Sequence, residues 1–271
     1  MNPEITHTPQ ACCGGNGKDA AMVFRMSGIV KRFGGLIALD HVDFEVAGQE
    51  VMALVGDNGA GKSTLIKTMS GAYAPDDGTI EMEERPVQFR SPQEAWDSGI
   101  ATIYQELALA GKMTVVDNIF LGREIRKPRL GIPFLDRPAM RSRASELLAQ
   151  LDVHVPSLDS WVESMSGGQR QGVAIARALN MDARLIIMDE PTAALAVAEV
   201  RKVLSFIKRL RSQGKSIVLI SHNIQDVFEV SDRISVMRHG RCIGVRETKK
   251  TTPQEIIGLI TGAHEVRAAA S

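Results

Sequence analysis

No apolar run in this chain approaches the roughly 18 residues that cross a bilayer as a helix, so its composition excludes a protein built of helical membrane spans. An excess of one charge is missing too: Lys and Arg number 32, and so do Asp and Glu. Neither a broadly basic surface for nucleic acid nor an acidic disordered tail finds support in that balance, and no nucleic-acid partner is expected. Cysteine is scarce, at 3 residues. Cys12 and Cys13 are neighbours in a polar leader, Cys242 stands far away near a predicted strand, and no further Cys or His sits at ligand spacing. That argues against both a disulfide framework and structural zinc. Met1 to Ala21 has no basic stretch running into an apolar one, which argues against a secretory signal. Gly14 to Lys18 lacks the strand, hydroxyl and helix of a phosphate loop and reads as linker. The expectation is a soluble cytoplasmic protein of 271 residues that can still sit on a membrane partner.

What is present is glycine in a particular order. Gly56-Asp57-Asn58-Gly59-Ala60-Gly61-Lys62-Ser63-Thr64 satisfies every fixed position of G-x-x-x-x-G-K-[ST]. Glu50 to Val55 before it reads as a buried strand, and Leu65, Ile66 and Met69 after it mark a helix stripe ending near Gly71. Strand, glycine loop and helix together make a phosphate cradle. The glycines let successive N–H groups turn toward one anion, and the helix N-terminus adds its partial positive charge. Lys62 then reaches the β- and γ-phosphates, and the Ser63 hydroxyl is a ligand for Mg²⁺.

Two alternating strands occupy Val23 to Val46 and turn at Gly34-Gly35. Phe33, just before that turn, reads either as a core aromatic or as a surface for a base. Thr79–Met82 and Val87–Arg90 read as a short hairpin. Ser91-Pro92-Gln93-Glu94 starts a helix, and Ile100 to Tyr104 is a strand ending in Gln105. From residue 106 to 180 the pattern is helical, broken at Pro128, Gly131 and Pro133, with Asp136 as a cap. Ser166-Gly167-Gly168-Gln169 opens another helix and forms a second anion-receptive end. Leu185 to Met188 then run into Asp189-Glu190, the pattern of a buried parallel strand ending in charge. Ligands of open α/β sheets bind at that end, where Asp189 suits Mg²⁺ and Glu190 a general base on water. His222 ends the strand Ser216–Ser221 on the same edge and reads either as a structural histidine or as part of the site. A hairpin turning at His239-Gly240 and a helix from Thr252-Pro253 close the chain.

In this order, these elements resemble the ATP-binding cassette of ABC transporters over Val23 to Gly262, and most closely the cassettes of simple-sugar importers (fructose, ribose, xylose). The closer likeness rests on Gly56-Asp57-Asn58-Gly59, Gln88 to Pro92, Asn118 with Leu121 to Glu124, Pro191 to Leu195 and Ser221-His222-Asn223. The resemblance implies an α/β fold: a P-loop (RecA-like) core with an antiparallel β subdomain and an α-helical insert at about 106–180. The cassette domain would span 23–263, between a flexible leader, 1–22, and a frayed tail, 264–271. It implies two cassettes closing head to tail over two ATP molecules. Gly56 to Thr64 would hold the phosphates of one, and Ser166, Gly167, Gly168 and Gln169 of the other cassette would cover the γ-phosphate. Gln105 and Asp189 would join Ser63 on Mg²⁺. Glu190 would polarise the attacking water, His222 would steady Glu190 and the γ-phosphate, and Phe33 would stack on adenine. The implied partners are a second copy of the chain, a membrane permease whose cytoplasmic helix docks beside Gln105, and a periplasmic sugar-binding protein. The implied place is the cytoplasmic face of a bacterial inner membrane. A cassette ATPase of another transport system and an ATP-switch regulatory cassette are the alternatives. Two residues depart from the family pattern: Met165 stands for the usual Leu, and Ala196 for the usual aspartate.

Overall fold

Alternation accounts for the first layer. Phe24, Met26, Leu39, Val42, Phe44 and Val46 are all buried, and they fall on β1 (Met22–Phe33) and β2 (Leu36–Ala47), which pair antiparallel around Gly34-Gly35. The computed structural model describes residues 21–129 and 132–263. The leader with Cys12 and Cys13, Gly131 and the tail from 264 lie outside the described residues.

The next strand, β3 (Val51–Gly56), does not alternate because both of its faces are covered. Met52 and Leu54 pack with Phe24, Leu39 and Phe44, while Ala53 and Val55 pack with Val227, Ile234 and Ile256. It feeds α1 (Lys62–Met69), whose Leu65, Ile66 and Met69 are buried beneath the first layer. β4 (Asp77–Met82) then pairs with β1 and with β5 (Arg85–Val87). The hairpin expected at Val87–Arg90 therefore closes two residues earlier. Glu83 and Glu84 both adopt left-handed φ, 49° and 62°, and this two-residue turn places Arg85 opposite Met82.

After α2 (Pro92–Asp97) and β6 (Ile100–Ile103) comes the insert. It holds α3 (Val115–Phe120), a small hairpin of β7 (Arg126–Arg129) and β8 (Ile132–Leu135), α4 (Arg137–Leu151) and α5 (Gly167–Asn180). The insert is thus not wholly helical. Pro128 and Pro133, expected only to break helix, face each other across that ladder, as suits a pair of strands with free edges. β9 (Leu185–Asp189), α6 (Val197–Ser212), β10 (Ser216–Ile220), α7 (Ile224–Val230), β11 (Arg233–Arg238), β12 (Arg241–Glu247) and α8 (Pro253–Thr261) complete the chain.

The 4-stranded antiparallel sheet runs β2-β1-β4-β5, and the 6-stranded sheet runs β12-β11-β3-β10-β9-β6, parallel except for β12. One core fills the space between the two sheets, and a second joins the insert helices and α6 to the far face of the larger sheet. β10 lies between β3 and β9, with Ile220 opposite both Leu54 and Asp189. The glycine loop, Asp189-Glu190 and Ser221-His222 consequently leave the sheet at the same edge.

Candidate functional site

The loop after β3 is held by backbone more than by side chains. Ala60 N donates to Asp57 O at 3.1 Å, Gly240 N donates to Ala60 O at 3.0 Å, and Asp40 N donates to Gly240 O at 2.8 Å. Gly61 caps α1 in the left-handed region, φ 102°, where a Cβ would stand 2.8 Å from Ala38 O. Lys62 Nζ folds back over the loop and donates to Gly56 O at 2.8 Å and Asp57 O at 3.0 Å. Partial burial lowers its pKa, against the opposing pull of Glu190, Asp57 and Asp189. Those carboxylates are near enough to act on it, which places Lys62 and the end of β9 on one side of the molecule.

At that end, burial raises the Asp189 pKa, and the adjacent Glu190 charge raises it further. Glu190 sits at φ 51°, a conformation uncommon for a residue with a side chain, and its N–H donates to Ile220 O at 3.0 Å. The turn aims its carboxylate at the end of β10. Glu190 Oε2 lies 2.8 Å from His222 Nδ1 and accepts from His222 N at 3.3 Å. His222, whose role the sequence left open, is therefore a partner of Glu190.

A cavity of about 510 Å³ runs from Phe33, Leu36 and Ile37 to the loop residues Asn58 to Thr64, with His239 and Gly240 along its wall. Phe33 is 42% exposed, so it is not a core residue. Its ring meets the edge of Tyr73 with centroids 5.3 Å apart, and Lys31 Nζ lies 5.8 Å from its centre. Sequence reading missed Leu36 and Ile37, which are 66% and 47% exposed at the start of β2. The available signal was an apolar pair directly after a Gly-Gly turn, where a buried face does not yet exist.

Gln105 and Glu190 line a second cavity, of about 360 Å³, together with Gly167, Gln171 and Leu195. Beside Gln105 the chain bends sharply: Leu107 and Ala108 have φ 43° and 46°, and Arg177 of α5 donates to both of their carbonyls. Ser166 lies at the exposed N-cap of α5. Its hydroxyl accepts from Gln169 N at 3.3 Å, and Gln169 Oε1 accepts from Ser166 N at 3.0 Å, a complete capping box. Met165 is buried beneath it, 5% exposed, filling the apolar place of the usual Leu. Ala196 caps α6 without a side-chain hydrogen bond. Among the described residues no three His, Cys, Asp or Glu side chains gather around a point fit for a metal ion.

The sequence profile of the ABC transporter family matches residues 39–193. The fructose import ATP-binding protein FrcA of Rhizobium meliloti is 50% identical over 242 residues, 88% of this chain and 93% of that protein. The xylose/arabinose import ATP-binding protein XylG of Sulfolobus acidocaldarius is 45% identical over 231 residues, 85% of this chain and 90% of that protein. A ribose import ATP-binding protein, RbsA 1 of Rubrobacter xylanophilus, is 47% identical over 240 residues, and the match spans 47% of its length. Among solved structures, a nucleotide-free ATP-binding cassette from an ABC transporter superposes with a TM-score of 0.74 at 28% identity, covering 89% of this chain and 95% of that one. The dimeric bacterial cassette MJ0796 gives 0.71 at 23% identity, covering 84% and 100%, a likeness of fold. A glycine loop, a carboxylate-tipped strand and an exposed Ser-Gly-Gly-Gln helix start thus occur together on this fold, and the chain belongs to the ABC transporter family as one of its ATP-binding cassettes.

Proposed function

We propose that this cassette hydrolyses ATP to energise the import of a simple sugar. The observation that carries the reading is the convergence of Lys62, Asp189 and the Glu190–His222 pair on one sheet edge, in a chain half identical to a fructose import protein. Adenine would rest against Phe33 at the mouth of the larger cavity, and the phosphates would lie along Gly56 to Thr64. Lys62 would exchange its two carbonyl acceptors for phosphate oxygens. Glu190, held by His222, would take the proton of the attacking water as it meets the γ-phosphate.

The donor set fits Mg²⁺. Two adjacent carboxylates, one kept reluctant to ionise by burial and by its neighbour, make a place that a dication relieves. Mg²⁺ is commonly held by one or two carboxylates plus substrate phosphates, and Ser63, Asp189 and Gln105 would supply the protein ligands. When bound, the ion neutralises charge on the phosphates. Ser166 to Gln169 of a second copy would face the γ-phosphate across the interface. The wider assembly would pair two cassettes with membrane permease subunits at the cytoplasmic face of a bacterial membrane, and a periplasmic sugar-binding protein would deliver cargo.

Reconstitution with a membrane permease and a sugar-binding protein that co-purify with this chain tests the proposal. ATP hydrolysis should rise several-fold when the binding protein carries fructose, ribose or xylose. Stimulation by an unrelated cargo, or by none of these sugars, would contradict sugar import.

A further inference from the structure

One donor at the start of α5 is not free. Gly168 N donates to Glu199 Oε1 at 3.1 Å. Glu199 comes from the first turn of α6, 31 residues away in the chain. An acidic residue at that position would ordinarily serve its own helix start. Ala196 offers it no reciprocal side chain there, and Glu199 also reaches across to α5. Its carboxylate thus lies near two helix N-termini, α5 and α6, whose partial positive charges both favour it. Glu199 packs against this backbone: a Cβ at Gly167 would stand 3.4 Å from Glu199 Oε2, and one at Gly168 would stand 3.5 Å from its Cβ and Cγ, ordinary van der Waals contact. The hydrogen bond from Gly168 is also the main reason its pKa is lowered.

We infer that Glu199 is an internal stand-in for phosphate, occupying in the open chain the Gly168 N–H that the γ-phosphate on a second cassette would need. The inference rests on the reading of Ser166 to Gln169 as the loop that faces the partner's ATP. Two anions cannot share one N–H at full strength, because a donor hydrogen satisfies one acceptor well and the anions repel. Closure over ATP therefore includes the displacement of Glu199. The residue sets how much ATP is needed to close the dimer, without lining the cavity around Lys62.

The test is ATP-dependent dimerisation of the full chain carrying Glu190→Gln, followed by sedimentation across an ATP titration in Mg²⁺. Adding Glu199→Gln or Glu199→Ala should lower the ATP midpoint for dimer formation by roughly fivefold, the scale of one exposed charge-assisted hydrogen bond. ATP affinity of the separated chains, measured by dialysis at protein concentrations too low for dimers, should not change. A residue that merely braces the loop would shift the midpoint the other way. An unchanged or raised midpoint in both Glu199 variants overturns the inference. Ser166→Arg provides the second arm. If it abolishes the dimer while the Glu199 variants leave the midpoint in place, the loop assignment stands and the inference alone fails. If Ser166→Arg dimerises normally, or if Glu190→Gln forms no ATP-dependent dimer, the loop assignment fails and takes the inference with it.

Discussion

In the proposed function Lys62 is the residue on which nucleotide affinity would turn. Its ammonium already sits in the loop, donating to Gly56 O and Asp57 O, so binding would exchange two neutral acceptors for charged ones and leave the side chain largely in place. Removing it with Lys62→Ala should weaken ATP binding by about 10- to 100-fold, the worth of one or two charge-assisted contacts. Titration with a fluorescent ATP analogue reads this directly, and unchanged affinity would take Lys62 out of the phosphate site. Phe33 makes a different contribution. Its half-exposed ring lines the same cavity, and Phe33→Ala should raise the dissociation constant for ATP about fivefold or more, within the range of roughly 1–3 kcal/mol for stacking one base. It should also leave ATP and GTP less distinguishable in competition, whereas a ring that served packing alone would lower the melting temperature and leave affinity as it was.

At the scale of elements, the loop depends on glycine where backbone comes close. Gly61 combines φ 102° with Ala38 O only 2.8 Å from a would-be Cβ. Gly61→Ala should cost about 2 kcal/mol, and a chain of this size should then melt about 4–8 °C lower without nucleotide. Gly59 has φ 77° but nothing within 4 Å of a Cβ, so Gly59→Ala should cost only the left-handed penalty, about 1 kcal/mol. Thermal unfolding of the two variants side by side checks the contrast. Equal losses would show that approach to β2 is not what the loop requires.

Elements with a strong local pattern were legible from sequence: the buried strands β3 and β9, the loop before α1, the Asp136 cap and the Gly-Gly turn. Elements decided by contact were less so. The Glu83-Glu84 turn carries no glycine or asparagine to announce two left-handed residues, so the register of β5 could not be read. β7 and β8 each contain a proline, which in sequence argues against a strand. At the site, Lys62, Asp189, Glu190 and His222 each stand at a strand end or loop position that spacing identifies. Glu199 could not be foreseen, because an acidic residue in a first helical turn is commonplace and its partner lies in another helix.

In the proposed assembly the whole molecule would present half of each reaction site. The loop with Lys62 and the Glu190–His222 pair leave the sheet at one edge, and Ser166 stands exposed at the start of a helix of the insert. α5 links the exposed loop to the bend beside Gln105, since Arg177 near its far end holds the carbonyls of Leu107 and Ala108. In the proposed cycle, ATP bound between two such surfaces would stabilise their closed arrangement by mass action, and hydrolysis would remove the bridge. In the proposed function Glu190 would separate those two steps, because it would act on water and leave the phosphate cradle intact. The most direct measurement is sedimentation of the Glu190→Gln chain with Mg²⁺ and ATP, alongside its turnover. The account predicts turnover reduced at least a hundredfold and a stable dimer holding two ATP molecules that ADP does not support. A variant that binds ATP but stays monomeric, or one that dimerises and still hydrolyses at the original rate, would contradict it.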